Sequence, residues 1–179
     1  LKDCDQDDII MISDLDEIPN PEKISEFKKE NKYACFVQGN FLFKLNLINT
    51  SEPDWYGTRI CRKKDLKSPQ WLREIKSKKL PFYKFYKPQF DKFILNGGWH
   101  FSSVKTAEGI YKKLHSFSEQ QFNNKKFKDM DIIKKKMEQK VDLFDRGYNF
   151  KVIKIDQTFP KYIYENKEKL KEFIYKDSI

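Results

Sequence analysis

Two carboxylates one residue apart, Asp14 and Asp16, follow a short apolar run, Ile9-Ile10-Met11-Ile12, with Glu17 beside them and Pro19 closing the segment. Hard divalent cations take oxygen ligands, and Mg²⁺ is usually held by one or two carboxylates together with the phosphates of a substrate. An Asp-x-Asp pair delivered by a strand therefore suits a cation that carries a phosphorylated substrate. In extended backbone, residues i and i+2 face the same side, so both carboxylates would reach one ion. The competing reading is that these acids only cap the helix that follows.

His100 is one of two histidines and lies in Gly97-Gly98-Trp99-His100. It follows a strand-like segment, as the acids do, and an imidazole beside carboxylates suits an ion such as Mn²⁺ that accepts mixed nitrogen and oxygen ligands. A lone histidine is more often a hydrogen-bonded structural residue, and His115 has only that reading. Glu108 falls in the first turn of a helix that Thr106 can cap. It is either a favourable charge at the helix dipole or a general base near the metal edge.

These residues need elements to position them. The apolar run at 9–12 reads as a buried strand of an α/β sheet, whose ligands bind at the carboxyl ends of strands. Asn20 and Pro21 start a helix over about 20–29. Residues 33–37 and 41–47 read as two strands separated by Gln38-Gly39-Asn40 in a hairpin or bulged pair. A further strand is expected over 55–61, and Ser68-Pro69 opens a short helix. Residues 82–87 interleave Phe and Tyr with Lys, a pattern that suits stacking on a base or sugar ring as well as ordinary inward packing. Helices are expected over about 107–117 and 129–144, the latter ending near Gly147. A late strand over 150–155 and a helical region from Pro160 to about 174 complete the chain. Helices and strands are interspersed throughout, so the fold class is α/β.

The bulk composition narrows the setting. At 179 residues, with 39% hydrophobic and 16% aromatic residues, the chain is one domain with a real core and is not disordered. No run of about 18 apolar residues could span a bilayer. The net charge of +9, from 36 basic and 27 acidic residues, admits an anionic partner. However, much of the Lys alternates with Glu and Asp and reads as solvated helix faces, so no nucleic acid is expected. Three cysteines, Cys4, Cys35 and Cys61, form no Cys-x-x-Cys and read as reduced thiols. Because the first strand should need neighbours on both sides and no initiator Met precedes it, residues 1–179 read as the C-terminal part of a longer catalytic domain.

Taken together, the segments Ser13-Asp14-Leu15-Asp16-Glu17-Ile18-Pro19, Gly98-Trp99-His100-Phe101-Ser102 and Glu108-Gly109-Ile110-Tyr111, with Lys113 and Leu114 following, resemble glycosyltransferase family 17. This family includes the β-1,4-mannosyl-glycoprotein 4-β-N-acetylglucosaminyltransferases. The stretch Phe159-Pro160-Lys161-Tyr162-Ile163 adds to the likeness, which covers about 7–174. The resemblance implies a GT-A-like mixed sheet with flanking helices, here short of its N-terminal strands. It also implies a UDP-GlcNAc donor, a glycan acceptor, dependence on Mn²⁺ or Mg²⁺, and inversion at the anomeric carbon. On it rest the expected roles: Asp14, Asp16 and His100 for the metal, Asp14, Glu17, Trp99 and Lys113 for substrate, and Glu108 with Asp16 for catalysis. Asp142 is the next candidate base. The rival readings are an inactive relative that only binds, and a basic module for anionic polymers.

Overall fold

The computed structural model describes residues 1–77, 87–116 and 129–176. Residues 82–86 of the aromatic-basic stretch, and Phe117 at the end of the helix expected from 107, lie outside them. The fold is mixed α/β, with short helices and a mixed sheet. It divides into two compact units: residues 1–39 with 54–100, and residues 40–53 with 101–179. No helix among the described residues is long and apolar enough to cross a membrane.

The first unit is built on strands β1 (Ile9–Ile12), β2 (Glu17–Pro19), the start of β3 (Tyr33–Leu42), β5 (Asp54–Arg62), β6 (Lys92–Ile94) and the start of β7 (Gly98–Ser102). β1 pairs antiparallel with β5, β5 antiparallel with β3, and β3 parallel with β6. Alternation along β3 explains why its sequence is apolar on both sides. Tyr33 and Cys35 pack with Cys61, Leu72 and Phe90, the last two from outside the sheet, while Ala34 and Phe36 pack on the opposite face with Phe27, Ile60 and Ile94. Helix α1 (Pro69–Glu74) is capped by the Ser68 hydroxyl, which accepts from the Trp71 N–H at 3.1 Å, and it buries Leu72. Cys35 and Cys61 are buried free thiols, and burial pushes the Cys35 thiol up to about 12.

Three expectations change here. β1 is an edge strand that pairs with β5 alone among the described residues, and Ile9 is 43% exposed, so it is not a strand buried between neighbours. The helix expected over 20–29 is a 3-10 helix ending at Glu26, although Asn20 does cap it and Pro21 does start it. Gln38 and Gly39 do not break the strand, because they stay in register with Trp55 and Asp54 of β5. Strand pairing overrides turn propensity at these positions.

The second unit takes the end of β3, then β4 (Leu47–Asn49) and β8 (Phe150–Val152), with helices α2 (Ala107–Ser116), α3 (Met130–Glu138) and α4 (Lys161–Glu165). β4 pairs antiparallel with β3 and with β8. The hairpin expected between 33–37 and 41–47 is not formed, since both runs share β3 up to Leu42; a different hairpin, β3 with β4, turns through 43–46, where Phe43 has φ 67°. Ile110 and Leu114 of α2 meet Ile133 and Met137 of α3 over Leu42, Phe43 and Leu47, one core on a helical stripe from each side. The Thr106 hydroxyl accepts from the Gly109 N–H at 3.1 Å, the expected cap. α3 stops at Glu138, well before the expected 144. The Val141 N–H reaches the Lys136 carbonyl and the Lys140 N–H the Met137 carbonyl, with Lys140 at φ 56°. That is a Schellman end with lysine at the left-handed position where glycine is usual.

Gly98 is where the backbone leaves no choice. Its φ is +138°, and an added Cβ would lie 2.1 Å from the Ile18 carbonyl oxygen. Gly98→Ala is therefore expected to cost at least ~2 kcal/mol in urea unfolding by prising β2 from β7. A loss under ~0.5 kcal/mol would contradict this account of the pair.

Candidate functional site

The acidic segment is a tight turn. The Glu17 N–H donates to the Asp14 carbonyl at 3.1 Å, and the Asp14 N–H donates back to Glu17 Oε2 at 3.0 Å. Leu15 stands fully exposed at the tip. The sequence argument placed Asp14 and Asp16 on one side of an extended strand; in the turn their carboxylates have different partners. Asp14 is ion-paired with Arg73 of α1, whereas Asp16 Oδ2 lies 3.5 Å from His100 Nε2. Both carboxylates are nearly half exposed, at 45% and 42%.

Beside the turn is a polar set in which Glu17 and His100 are buried and Trp55 is 38% exposed. β2 and β7 run antiparallel with Glu17 opposite His100, Ile18 opposite Trp99 and Pro19 opposite Gly98. Glu17 is only 5% exposed, and its Oε1 accepts from Trp55 Nε1 at 2.8 Å. The Trp55 indole lies flat on the His100 ring, with centroids 4.0 Å apart and planes 9° from parallel. At the end of β1, the hydroxyls of Ser13 and Thr58 share a hydrogen bond of 2.7 Å, and the Gln38 amide donates to Thr58 at 3.3 Å.

Burial sets the electrostatics of this set. It raises the Glu17 pKa, with the Trp55 N–H and the Arg59 charge pulling the other way. It lowers the His100 pKa, against the attraction of Asp16. The Arg59 guanidinium donates from Nη1 to the Gly57 carbonyl at 2.5 Å, while its buried Nε has no acceptor among the described residues. Two arginines thus stand at an acidic turn, and the guanidinium fork is suited to phosphate as well as carboxylate.

The remaining expected residues are distributed as follows. Trp99 is half-buried on β7 and, by alternation, on the face opposite His100. Glu108 belongs to the second unit, is 55% exposed, and pairs with Lys134 at 3.5 Å. Its pKa is held down by its own backbone N–H, then by Lys134 and the Thr106 hydroxyl, so it is ionised at neutral pH. Lys113, also in the second unit, donates to the Ser103 hydroxyl at 2.8 Å. Asp142 is buried. Burial would raise its pKa, but Arg146 and the N–H groups of Arg146 and Phe144 outweigh this and hold it low. Asp142 fixes the loop that follows α3.

Trp55, Arg59 and Arg73 escape a reading by motif. Trp55 lies 38 positions from the carboxylate it binds. The one signal pointing to them is physical, since a carboxylate carried inward by a strand must find donors.

Among the described residues no group of three or more His, Cys, Asp or Glu is arranged to hold a metal ion. One or two half-exposed carboxylates do fit a cation that arrives with phosphates as its other ligands. Neither a family model, nor a curated protein, nor a solved structure matches the chain.

The His100 environment gives a signed pH effect. Its neutral form is favoured in the fold, so this contribution is fully present above the ordinary value near 6.5 and is lost as pH falls through the depressed folded value. The urea midpoint of the protein should fall on acidification through this range more steeply than that of His100→Gln. Parallel curves would contradict the assignment.

Proposed function

We propose that the chain is a metal-dependent glycosyltransferase, of the kind found in glycosyltransferase family 17, that transfers N-acetylglucosamine from UDP-GlcNAc to a glycan acceptor with inversion. A GT-A-like arrangement of the mixed sheet is part of this proposal. The observation that carries it is the pairing of β2 with β7. Two segments about 80 positions apart, Ser13–Pro19 and Gly98–Ser102, are the ones on which the family likeness rests. Their residues Glu17 and His100 are register partners beneath the exposed carboxylates. A strand pair alone would not require a carboxylate and an imidazole to be buried opposite each other, both in contact with the partly exposed Trp55 indole.

The reading assigns each residue a task. Asp16 and Asp14 would hold a divalent ion, which when bound supplies positive charge to the departing UDP. Glu17, tied to Trp55 and to the Asp14 N–H, keeps the turn closed so that the exposed carboxylates are presented and not collapsed onto the sheet. His100 holds Asp16 from below as a positioning residue. Arg73 neutralises Asp14 and can exchange that carboxylate for a phosphate oxygen, since both suit its fork.

Asp16→Ala tests the reading with little risk to the fold, because the side chain is nearly half exposed. With UDP-GlcNAc, Mn²⁺ and a mannose-terminated core glycan, UDP release is expected to fall roughly 10²–10³-fold, the usual scale for losing a charge-stabilising group. The urea midpoint should stay close to that of the parent. Undiminished release by the variant would remove Asp16 from the site.

A further inference from the structure

The second unit carries an open cavity of about 260 Å³ that the acidic turn does not use. It lies where the start of α2 and the last turn of α3 meet the end of the described chain, with Thr106, Met137 and Tyr175 among its lining. The far wall is fixed in place. The Asn46 side chain is buried and bonds Tyr175 twice, Nδ2 to the carbonyl and Oδ1 from the N–H, each at 2.8 Å.

The lining chemistry is specific in kind. Its charged groups are two lysines, Lys44 and Lys134, and two glutamates, Glu138 and Glu172, which cancel. A cavity without net charge has no field to gather phosphate or polyanion. The Lys44 ammonium is further committed: it donates to the Glu172 carbonyl at 2.5 Å and sits 5.7 Å from the centre of the Tyr175 ring. The walls are otherwise mostly apolar, yet four charged side chains at the rim would be desolvated by a fatty chain. A ligand with an apolar face and a rim of hydroxyls satisfies both halves. The volume lies just under the roughly 300–1,000 Å³ of ordinary ligand pockets, which suits a single ring better than a drug-sized molecule.

Glu108 adds position. The side chains that steady its carboxylate, Lys134 and Thr106, both line the cavity. A hydroxyl of a ring seated there would be within the neighbourhood of an ionised carboxylate that can accept its proton.

We propose that this cavity is a subsite for one neutral sugar ring of the acceptor. The ring's C–H face rests against Tyr175 and Met137, and its hydroxyls are bonded by Glu138 and Lys134. The identity of the ring as acceptor rests on the glycosyltransferase reading; the preference for a neutral saccharide rests on the cavity alone.

The chain contains three methionines, Met11, Met130 and Met137, so methyl-¹³C methionine labelling places a reporter in this cavity and one in the first unit. Met130→Leu and Met11→Leu, made separately, assign the three signals. Titration with mannotriose is expected to move the Met137 methyl resonance saturably and to leave Met11 in place. Glu138→Gln should weaken that response about 10-fold or more, with an unchanged urea midpoint. A Met137 signal that ignores mannotriose, or that responds to inorganic pyrophosphate in its place, overturns the subsite, as does an unaltered response in Glu138→Gln. The two readings fail separately. Saturable movement of Met137 without any turnover of UDP-GlcNAc keeps the saccharide site and removes the transferase. Turnover with a silent Met137 does the reverse.

Discussion

A carboxylate that is 5% exposed must be held by donors or surrender its charge, and that constraint organises the first unit. Glu17 meets it with the Trp55 indole N–H on one oxygen and the Asp14 backbone N–H on the other. The first bond ties β5 to the acidic turn, and the second closes the turn on itself. His100 then fills the space between the indole and Asp16, stacked on one and facing the other. Removing any member leaves a buried polar group without its partner, a cost of about 1–3 kcal/mol and more for a charge. The exposed pair Asp14 and Asp16 is therefore presented by a set of groups that cannot relax independently.

The same burial divides the titrations. Glu17 is pushed up, His100 down, and the exposed Glu108 is held low by its backbone N–H and by Lys134. Near neutral pH His100 is thus favoured as a neutral imidazole and the Glu108 carboxylate as an ion. A neutral His100 keeps its attraction to Asp16 modest, which leaves that carboxylate able to take a cation. The two arginines offset the acids, so a phosphorylated ligand would not meet unrelieved negative charge.

What the sequence disclosed follows from where local signals were decisive. Ser68 with Pro69, Thr106 and Asp129 are side-chain caps, and each starts its helix where expected. The run over 55–61 became part of β5, and of the late strand expected over 150–155 only Phe150–Val152 became β8. Where a distant partner decides the outcome, the local signal misled. Gln38-Gly39 looks like a turn but is held straight by Trp55 and Asp54. At α3 the cause is local instead: the helix stops at Glu138 because Lys140, which carries no helix-stopping signal, takes the left-handed position. The site shows the same division. Asp16 and His100 were legible as residues that could meet, and they do. Their geometry was not: the extended Asp-x-Asp became a turn, because the Asp14 and Glu17 backbone groups bond each other and Arg73 draws one carboxylate aside. Trp55 and Arg59 were invisible for want of any spacing that ties them to Glu17.

The central claim is that this turn takes up a nucleotide sugar only through a divalent ion, and calorimetry measures that directly. UDP-GlcNAc is titrated into the protein with Mn²⁺ and again with the metal chelated. The account predicts saturable heat with Mn²⁺ and none without it. Equal binding in both titrations, or no binding in either, would contradict it.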